Sequence, residues 1–367
     1  MKKSLIALAV AGALVAPAAM ADTSNVNVYG EMNVSLDMVK SGEKVGANSG
    51  GDVSARQVNS NESRLGFKGS EDLGGGLSAV YQVEYDVMAD SGTGATTQRI
   101  AFAGLKMDAA GTLALGKQYT PYRQSTRGLD LFADGIADNR SLMGMGHDTA
   151  LTDTIAFNSA SMSGFSVAAA YAMGAEDATT TTDTKGKAIS VAAMYDMAPF
   201  YATIAHQKMT YGTAGGQFTS PTADSDKAFK VGGSYKTDMF TVNAVIENIE
   251  SVDAAAPETF KARNIYVAGQ YNITSTDAVK LAYTKTGDVK IDGVTEPSTG
   301  ARQISVGYDH NLSKRTTVYA LYTRLDNDTN INNCLTGAGS NGPYCDAAPV
   351  VGDASPSAIS FGMKHSF

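Results

Sequence analysis

Short runs of alternating apolar and polar residues make up most of the chain. The run from Val26 to Met38 sets Val26, Val28, Met32, Val34, Leu36 and Met38 on one side and Asn27, Tyr29, Glu31, Asn33, Ser35 and Asp37 on the other. A period of two is that of a strand, because successive side chains of extended backbone point to opposite faces. Strands of soluble sheets are mostly shorter than this one. A strand tilted across a bilayer takes ~9 to 11 residues, with lipid on one face and water on the other.

The same rhythm recurs to the C-terminus. Asn61 to Gly69 and Leu77 to Val87 flank the turn Ser70-Glu-Asp-Leu-Gly-Gly-Gly76, and Arg99 to Met107 and Thr112 to Tyr119 flank Asp108-Ala-Ala-Gly111. Thr152 to Ser161 is followed by Phe165 to Met173, and Ala188 to Asp196 meets Phe200 to Met209 at Ala198-Pro199. Ala228 to Lys236, Phe240 to Ile249, Asn264 to Tyr271 and Ala278 to Thr286 come next. Gln303 to His310 and Thr316 to Leu325 flank Asn311-Leu-Ser-Lys314, and Ser357 to Phe367 closes the chain. These runs predict about 16 antiparallel strands, an even number that brings both termini to one rim. Tight turns alternate with long polar loops, the asymmetry of an all-β transmembrane barrel with long external loops and short periplasmic turns.

Hydropathy is consistent with this reading. After the N-terminal segment no apolar run is long enough for a membrane helix, and the mean hydropathy is −0.13. A barrel is invisible to such averages because only every second residue faces lipid. Gly 38, Tyr 17 and Phe 12 suit many strands, tight turns and aromatic girdles; with Trp 0, Tyr and Phe must form the girdles alone.

Lys2 and Lys3 precede the apolar run Leu5 to Val15, and Ala19-Met20-Ala21 follows it. This predicts a secretory signal peptide over residues 1–21, cleaved before Asp22, with residues 22–367 forming the barrel. Loss of Lys2 and Lys3 takes the formal net charge from −8 to −10. The acidic balance argues against nucleic-acid binding, and as a field of one sign it favours cations in a pore. Cys334 and Cys345 share one late loop, and in an oxidising compartment they are expected to form a disulfide. Without a nearby His they do not suggest zinc, and no cofactor is expected.

One stretch breaks the alternation. Pro121 to Leu151 carries acids at Asp130, Asp134 and Asp138 and bases at Arg123, Arg127 and Arg140. The reading adopted is that it folds into the bore and narrows a water-filled pore, whose selectivity follows its diameter and lining charge. The four-residue spacing of the three acids predicts a helical turn with all of them on one face.

Several segments together resemble the general porins of Gram-negative bacteria, particularly the trimeric Neisserial-type family. They are Val28-Tyr-Gly30, SRLGFKGSEDLGGGL from Ser63, RIAFAGLK from Arg99, GTLALGKQYTPY from Gly111, SVGYDHNLSKRTTVYALYTR from Ser305 and the ending FGMKHSF. In this order they cover essentially the whole mature chain. The resemblance implies a 16-stranded barrel, usually a homotrimer, in the outer membrane among lipid and lipopolysaccharide, passing ions and small hydrophilic solutes by diffusion. It implies that the loop after the fifth strand is the constriction, with acids on the loop facing a ladder of bases on the wall. Arg64 occupies the family's basic position and faces inward by its parity opposite Leu65 and Phe67. Lys117 stands where the family usually has Arg, but it shares the parity of Leu113 and Leu115, so an irregularity at Gly116 would have to turn it inward. At Ala156-Phe-Asn-Ser159 the chain lacks a base that could extend the ladder. The terminal Phe367 looks like the signal read by the barrel-assembly machinery.

A substrate-specific channel would share all these features. An outer-membrane enzyme would need a nucleophile with a base, or acids grouped with His. His147 beside Asp148 is the one suggestive pair, and an ordinary exposed loop histidine is the favoured account of it. An adhesin acting through the loops Asp326 to Pro356 and Thr210 to Lys227 has no specific motif behind it.

Overall fold

Alternation is realised as sixteen membrane-scale strands in one closed antiparallel sheet. The computed structural model describes residues 25–42, 54–91, 97–174, 185–213, 216–220, 223–253, 258–335 and 354–367. The expected signal peptide lies outside them. Cys334 is described and is disulfide-bonded; its expected partner Cys345 lies outside the described residues.

In chain order the strands are β1 (Asn25–Lys40), β2 (Ser54–Ser60 continued by Arg64–Gly74), β3 (Leu77–Asp86), β4 (Gln98–Met107) and β5 (Gly111–Tyr119). After the long inward loop come β6 (Ala150–Ser159), β7 (Phe165–Met173), β8 (Lys187–Met197), β9 (Phe200–Thr210), β10 (Ala223–Lys236) and β11 (Phe240–Asp253). They are followed by β12 (Thr259–Asn272), β13 (Asp277–Thr286), β14 (Ala301–Asn311), β15 (Thr316–Asn327) and β16 (Ser357–Ser366). A small hairpin, Lys290–Ile291 with Val294–Thr295, extends the sheet beyond β13 by pairing with β12. Closure is made by β1 against β16, from Glu31 opposite Ser366 to Lys40 opposite Ser357.

The sheet is inside-out relative to a soluble protein. On β1, Val28 is 57 % exposed while Asp37 is fully buried, and Glu31, Asn33 and Ser35 are buried with it. The other strands likewise present Leu115, Ile204, Val231, Ile246, Ile265, Val306 and Phe361 outward. At the short-turn rim, Phe200, Tyr235 and Phe240 stack in series, with ring centroids 5.1 and 5.7 Å apart. That is the aromatic girdle expected where an apolar band meets the headgroups.

Among the register irregularities of the sheet, three lie beside the inward loop. Between the halves of β2, Asn61 to Ser63 insert one extra residue opposite β1, with Glu62 in the left-handed region at φ 51°. On β4 the register jumps so that Arg99 is the extra residue against β3. On β6 the shift opposite Gly116 and Gln118 falls at Asp153, φ 49°. A bulge adds one residue to one strand and so exchanges the faces beyond it. The upper half of β2 reads as loop in the sequence for this reason: the insertion at Glu62 puts Ser54–Ser60 out of phase with the run from Arg64.

Candidate pore constriction

The loop after β5 turns into the barrel and follows its inner wall. Thr120 caps the helix α1 (Pro121–Arg127) by accepting from the Arg123 amide, and Pro121 occupies its first turn, where no intrahelical amide is needed. The helix lies against β8, β9 and β10. Beyond it, Leu129 and Phe132 pack on Val245, Tyr266, Ala268 and Ala282, while Ile136 and Leu142 pack on Val39, Leu325 and Ala358. Burying a side chain of this size contributes about 1.5–3 kcal/mol, so the apolar side of the loop anchors it as part of the wall.

Polar contacts fix its register. Tyr201 Oη donates to the Ser125 carbonyl (2.5 Å), Asn243 donates to the Leu129 carbonyl (2.7 Å), and Asn33 donates to the Asp134 carbonyl (3.2 Å). Glu247 accepts from Tyr122 Oη at 2.5 Å and from the Gly144 amide at 2.9 Å, joining both ends of the loop to β11.

The other side of the loop carries its charges. Arg127 lies 2.5 Å from Asp138, 2.6 Å from Asp134 and 3.7 Å from Asp130. Arg140 lies 2.9 Å from Asp138 and 2.5 Å from Glu62. Glu62 also meets Arg99 at 2.7 Å and Arg123 at 3.8 Å, and Arg99 reaches Glu84 and Asp86 at 2.9 and 2.6 Å. Arg64 bridges Glu31 and Asp134 at 3.2 and 3.4 Å. One network therefore ties the loop to β1, β2, β3 and β4.

The helix expected for the three acids is not formed. It ends at Arg127, and Asp134 sits at φ 63°, which an α-helix does not tolerate. Asp130 turns back to accept from the Phe132 and Asn139 amides and from Tyr266 Oη. Asp138 caps the short 3-10 turn Asn139–Ser141. Of the three only Asp134 lines the open space.

That space is a cavity of about 820 Å³ between the loop and the wall from β1 to β6. Its charged lining is Arg64, Lys68, Arg99, Arg123 and Arg127 against Glu84 and Asp134, five bases and two acids. Loop acids facing wall bases, as the resemblance implies, are represented here by Asp134 alone, which meets Arg64 of the wall; the loop also presents Arg123 and Arg127, and Asp130 and Asp138 lie outside the cavity lining. Bases thus outnumber acids in the lining of this cavity, whereas the whole chain is acidic.

Lys117 is a second correction. It stays in register with Ala101, on the lipid-facing side with Leu113 and Leu115, and its Nζ donates to the Gln98 carbonyl (2.5 Å). The irregularity near Gly116 exists, but its extra residue lies on β6, so the inward position goes to Gln118. His147 is a third: it is fully buried, with Nδ1 3.2 Å from Gln207 Nε2 and its ring against Tyr122. Burial pushes the imidazole down to about 4, so it is neutral at neutral pH, and the neighbouring Asp148 is paired with Lys230 at 2.9 Å.

Sequence reasoning missed Glu62 and Arg99. By simple parity Arg99 falls with Ala101 on the lipid side, and only the bulge turns it inward. The available signal was chemical: an arginine leading directly into the apolar run IAFAGL is poorly tolerated facing hydrocarbon.

An apolar exterior, a polar bore and a charged loop folded across it define a transmembrane channel of the outer-membrane kind. A family model described as Gram-negative porin matches residues 7–330, and the chain belongs to that family. Outer membrane porin protein 32 of Delftia acidovorans is 29 % identical over 379 residues, covering 100 % of both chains. Major outer membrane protein P.IB of Neisseria sicca is 27 % identical over 86 % of this chain and 91 % of its own. Among solved structures, an anion-selective porin from Comamonas acidovorans matches with a TM-score of 0.74 at 23 % identity, over 94 % of this chain and 100 % of that one. A trimer form of OmpT, an outer-membrane protein of Vibrio cholerae, matches with a TM-score of 0.65 at 15 % identity, over 94 % of this chain and 100 % of that one. The protein is thus an outer-membrane porin channel of a Gram-negative bacterium.

Proposed function

We propose that the protein is a general diffusion porin for small hydrophilic solutes and ions, that the loop after β5 is its constriction, and that its opening favours anions. The observation carrying this reading is the excess of bases among the charges lining the cavity. Charges at the narrowest, least solvated point of a pore govern passage more strongly than charges on its rims, so Arg64, Lys68, Arg99, Arg123 and Arg127 outweigh the acidic mature chain. The anion-selective Comamonas porin supports the same direction. The protein assembles as a homotrimer after removal of residues 1–21, a reading supported by the trimer form of the Vibrio relative. Phe367 serves the assembly machinery.

Reversal potentials in a planar bilayer across a salt gradient test this. Anion preference is expected for the wild type, growing as salt is lowered because screening weakens. Arg64→Gln with Lys68→Gln should move the potential towards cations, and Asp134→Asn should move it further towards anions. A cation-selective wild type at low salt would overturn the reading.

A further inference from the structure

One apolar side chain faces the water of the bore without helping to hold the loop. Phe102 is the one phenylalanine among the described residues that line the cavity. It belongs to none of the hydrophobic clusters described inside the barrel, and α1 lies against other strands. Across the inner face its row reads Asn27, Lys68, Gln82, Phe102 and Gly116, from β1 to β5. Along β4 the next inward position is Gly104, where a Cβ would run into the Leu113 carbonyl. Glycines thus occupy two of the four inward positions beside Phe102. Gln82, on a third side, is drawn away towards β1, where its Nε2 donates to Tyr29 Oη at 2.5 Å. The ring is left half-buried and open to the lumen, with Val80, Ile100 and Ala114 as its apolar neighbours in the lining.

Beside this apolar patch stands a cation without a counter-charge. The two acids of the lining are both engaged, Glu84 with Arg99 at 2.9 Å and Asp134 with Arg127 at 2.6 Å. Lys68 is exposed to the lumen and forms no ion pair among the described residues; its Nζ stands 4.9 Å from the centroid of the Tyr29 ring. It lies two strands from Phe102, roughly 10 Å across the sheet, with Gln82 between them. A chloride ion uses the lysine alone and leaves the ring wet. A solute with a carboxylate at one end and an aromatic ring at the other uses both, through a charge-assisted hydrogen bond and an offset or edge-on ring contact. A dicarboxylate gains nothing from the patch, because bringing its second charge against apolar surface costs desolvation.

We propose that Phe102 and Lys68 form a subsite for aromatic monocarboxylates, benzoate being the simplest, on the short-turn side of Arg99. The subsite rests on the reading of this cavity as an anion-preferring constriction and adds to it a preference among anions.

The test is block of the chloride current through the reconstituted channel in KCl at pH 7, titrated with benzoate, acetate and succinate in turn. A buried aromatic contact contributes roughly tenfold in affinity. The wild type should therefore reach half-block with benzoate at about one-tenth of the acetate concentration, and succinate should block no better than acetate. Phe102→Gln should raise the benzoate concentration for half-block roughly tenfold while leaving acetate block and the KCl reversal potential unchanged. Phe102→Tyr should keep the preference for benzoate, and Lys68→Gln should weaken block by benzoate and acetate alike. If Phe102→Gln does not assemble, the ranking of the three anions on the wild type carries the test. Equal block by benzoate and acetate in an anion-selective wild type overturns the subsite and leaves the constriction reading standing, as does a benzoate preference that survives Phe102→Gln. A cation-selective wild type overturns that reading and the subsite with it.

Discussion

Asp130 and Asp138 belong to one loop and one arginine, yet their carboxyls are driven in opposite directions. Burial raises Asp130, the negative Asp138 raises it further, and the result is about 6 despite Arg127. Burial opposes ionisation of Asp138 as well, but Arg127 and Arg140 together hold it well below the usual carboxylate range. The consequences for stability have opposite signs. In the unfolded chain an aspartate titrates near ~3.9, so between about pH 4 and 6 the native protein holds more protons at Asp130, and this residue's contribution to stability falls as pH rises through that window. The contribution of Asp138 is present above the unfolded value and is lost as pH falls below ~4. Asp130→Asn should therefore gain stability relative to wild type on going from pH 5 to pH 7, measured as the temperature at which the folded barrel is lost on gels. A difference that does not change between those two pH values would show that Asp130 does not titrate between them in the folded barrel. The groups facing it are Asp138, Arg127, Tyr266 Oη and the amides of Phe132 and Asn139.

At the scale of the element, the bulged strands and the inward loop form a single device. Regular β2 and β4 would leave Glu62 outside the network and turn Arg99 towards lipid; one extra residue in each brings both to the bore, where Glu62 meets three arginines. Glu62→Gln removes the acid shared by Arg99, Arg123 and Arg140, a loss on the order of 3 kcal/mol for a buried ion pair left without one partner. The expected result is a barrel that still folds but shows more frequent current substates in single-channel records. A quiet channel with wild-type conductance would mean that the apolar packing of Leu129, Phe132, Ile136 and Leu142 alone holds the loop. These apolar residues stand plainly in the sequence, and so does the loop's break from alternation. What they pack against does not, because their partners on β1 and on β11 to β16 are distant along the chain.

For the whole molecule, closure is the decisive event, since an open sheet would leave unpaired backbone in hydrocarbon. The last residue takes part in it: Phe367 exchanges both backbone hydrogen bonds with Gly30, each 3.1 Å. A side chain at position 30 would collide with the Phe367 ring and the Arg64 carbonyl, so the glycine makes room for the terminal phenylalanine. Deleting Phe367, or replacing Gly30→Val, should lower the yield of heat-modifiable barrel, and the two changes combined should cost little more than either alone, because they remove one contact. Normal assembly of both single variants would confine closure to the remaining β1–β16 ladder.

The sequence by itself determined the barrel, its near-complete strand order, the inside-out distribution of side chains and the position of the inward loop. Each of these is written in the two-residue period and its single long interruption, and lipid and water impose that period locally. Tertiary structure decided which charges face the opening. Arg99 and Lys117 share a parity, and only a bulge in β4 and a shift carried by β6 send the first to the bore and leave the second outside. Asp130, Asp134 and Asp138 share a spacing, and only the path of the backbone after Gly128 leaves Asp134 at the lumen. A two-residue period fixes the face of a side chain until one residue is inserted, and whether one is inserted is settled between strands, where the pairing is made.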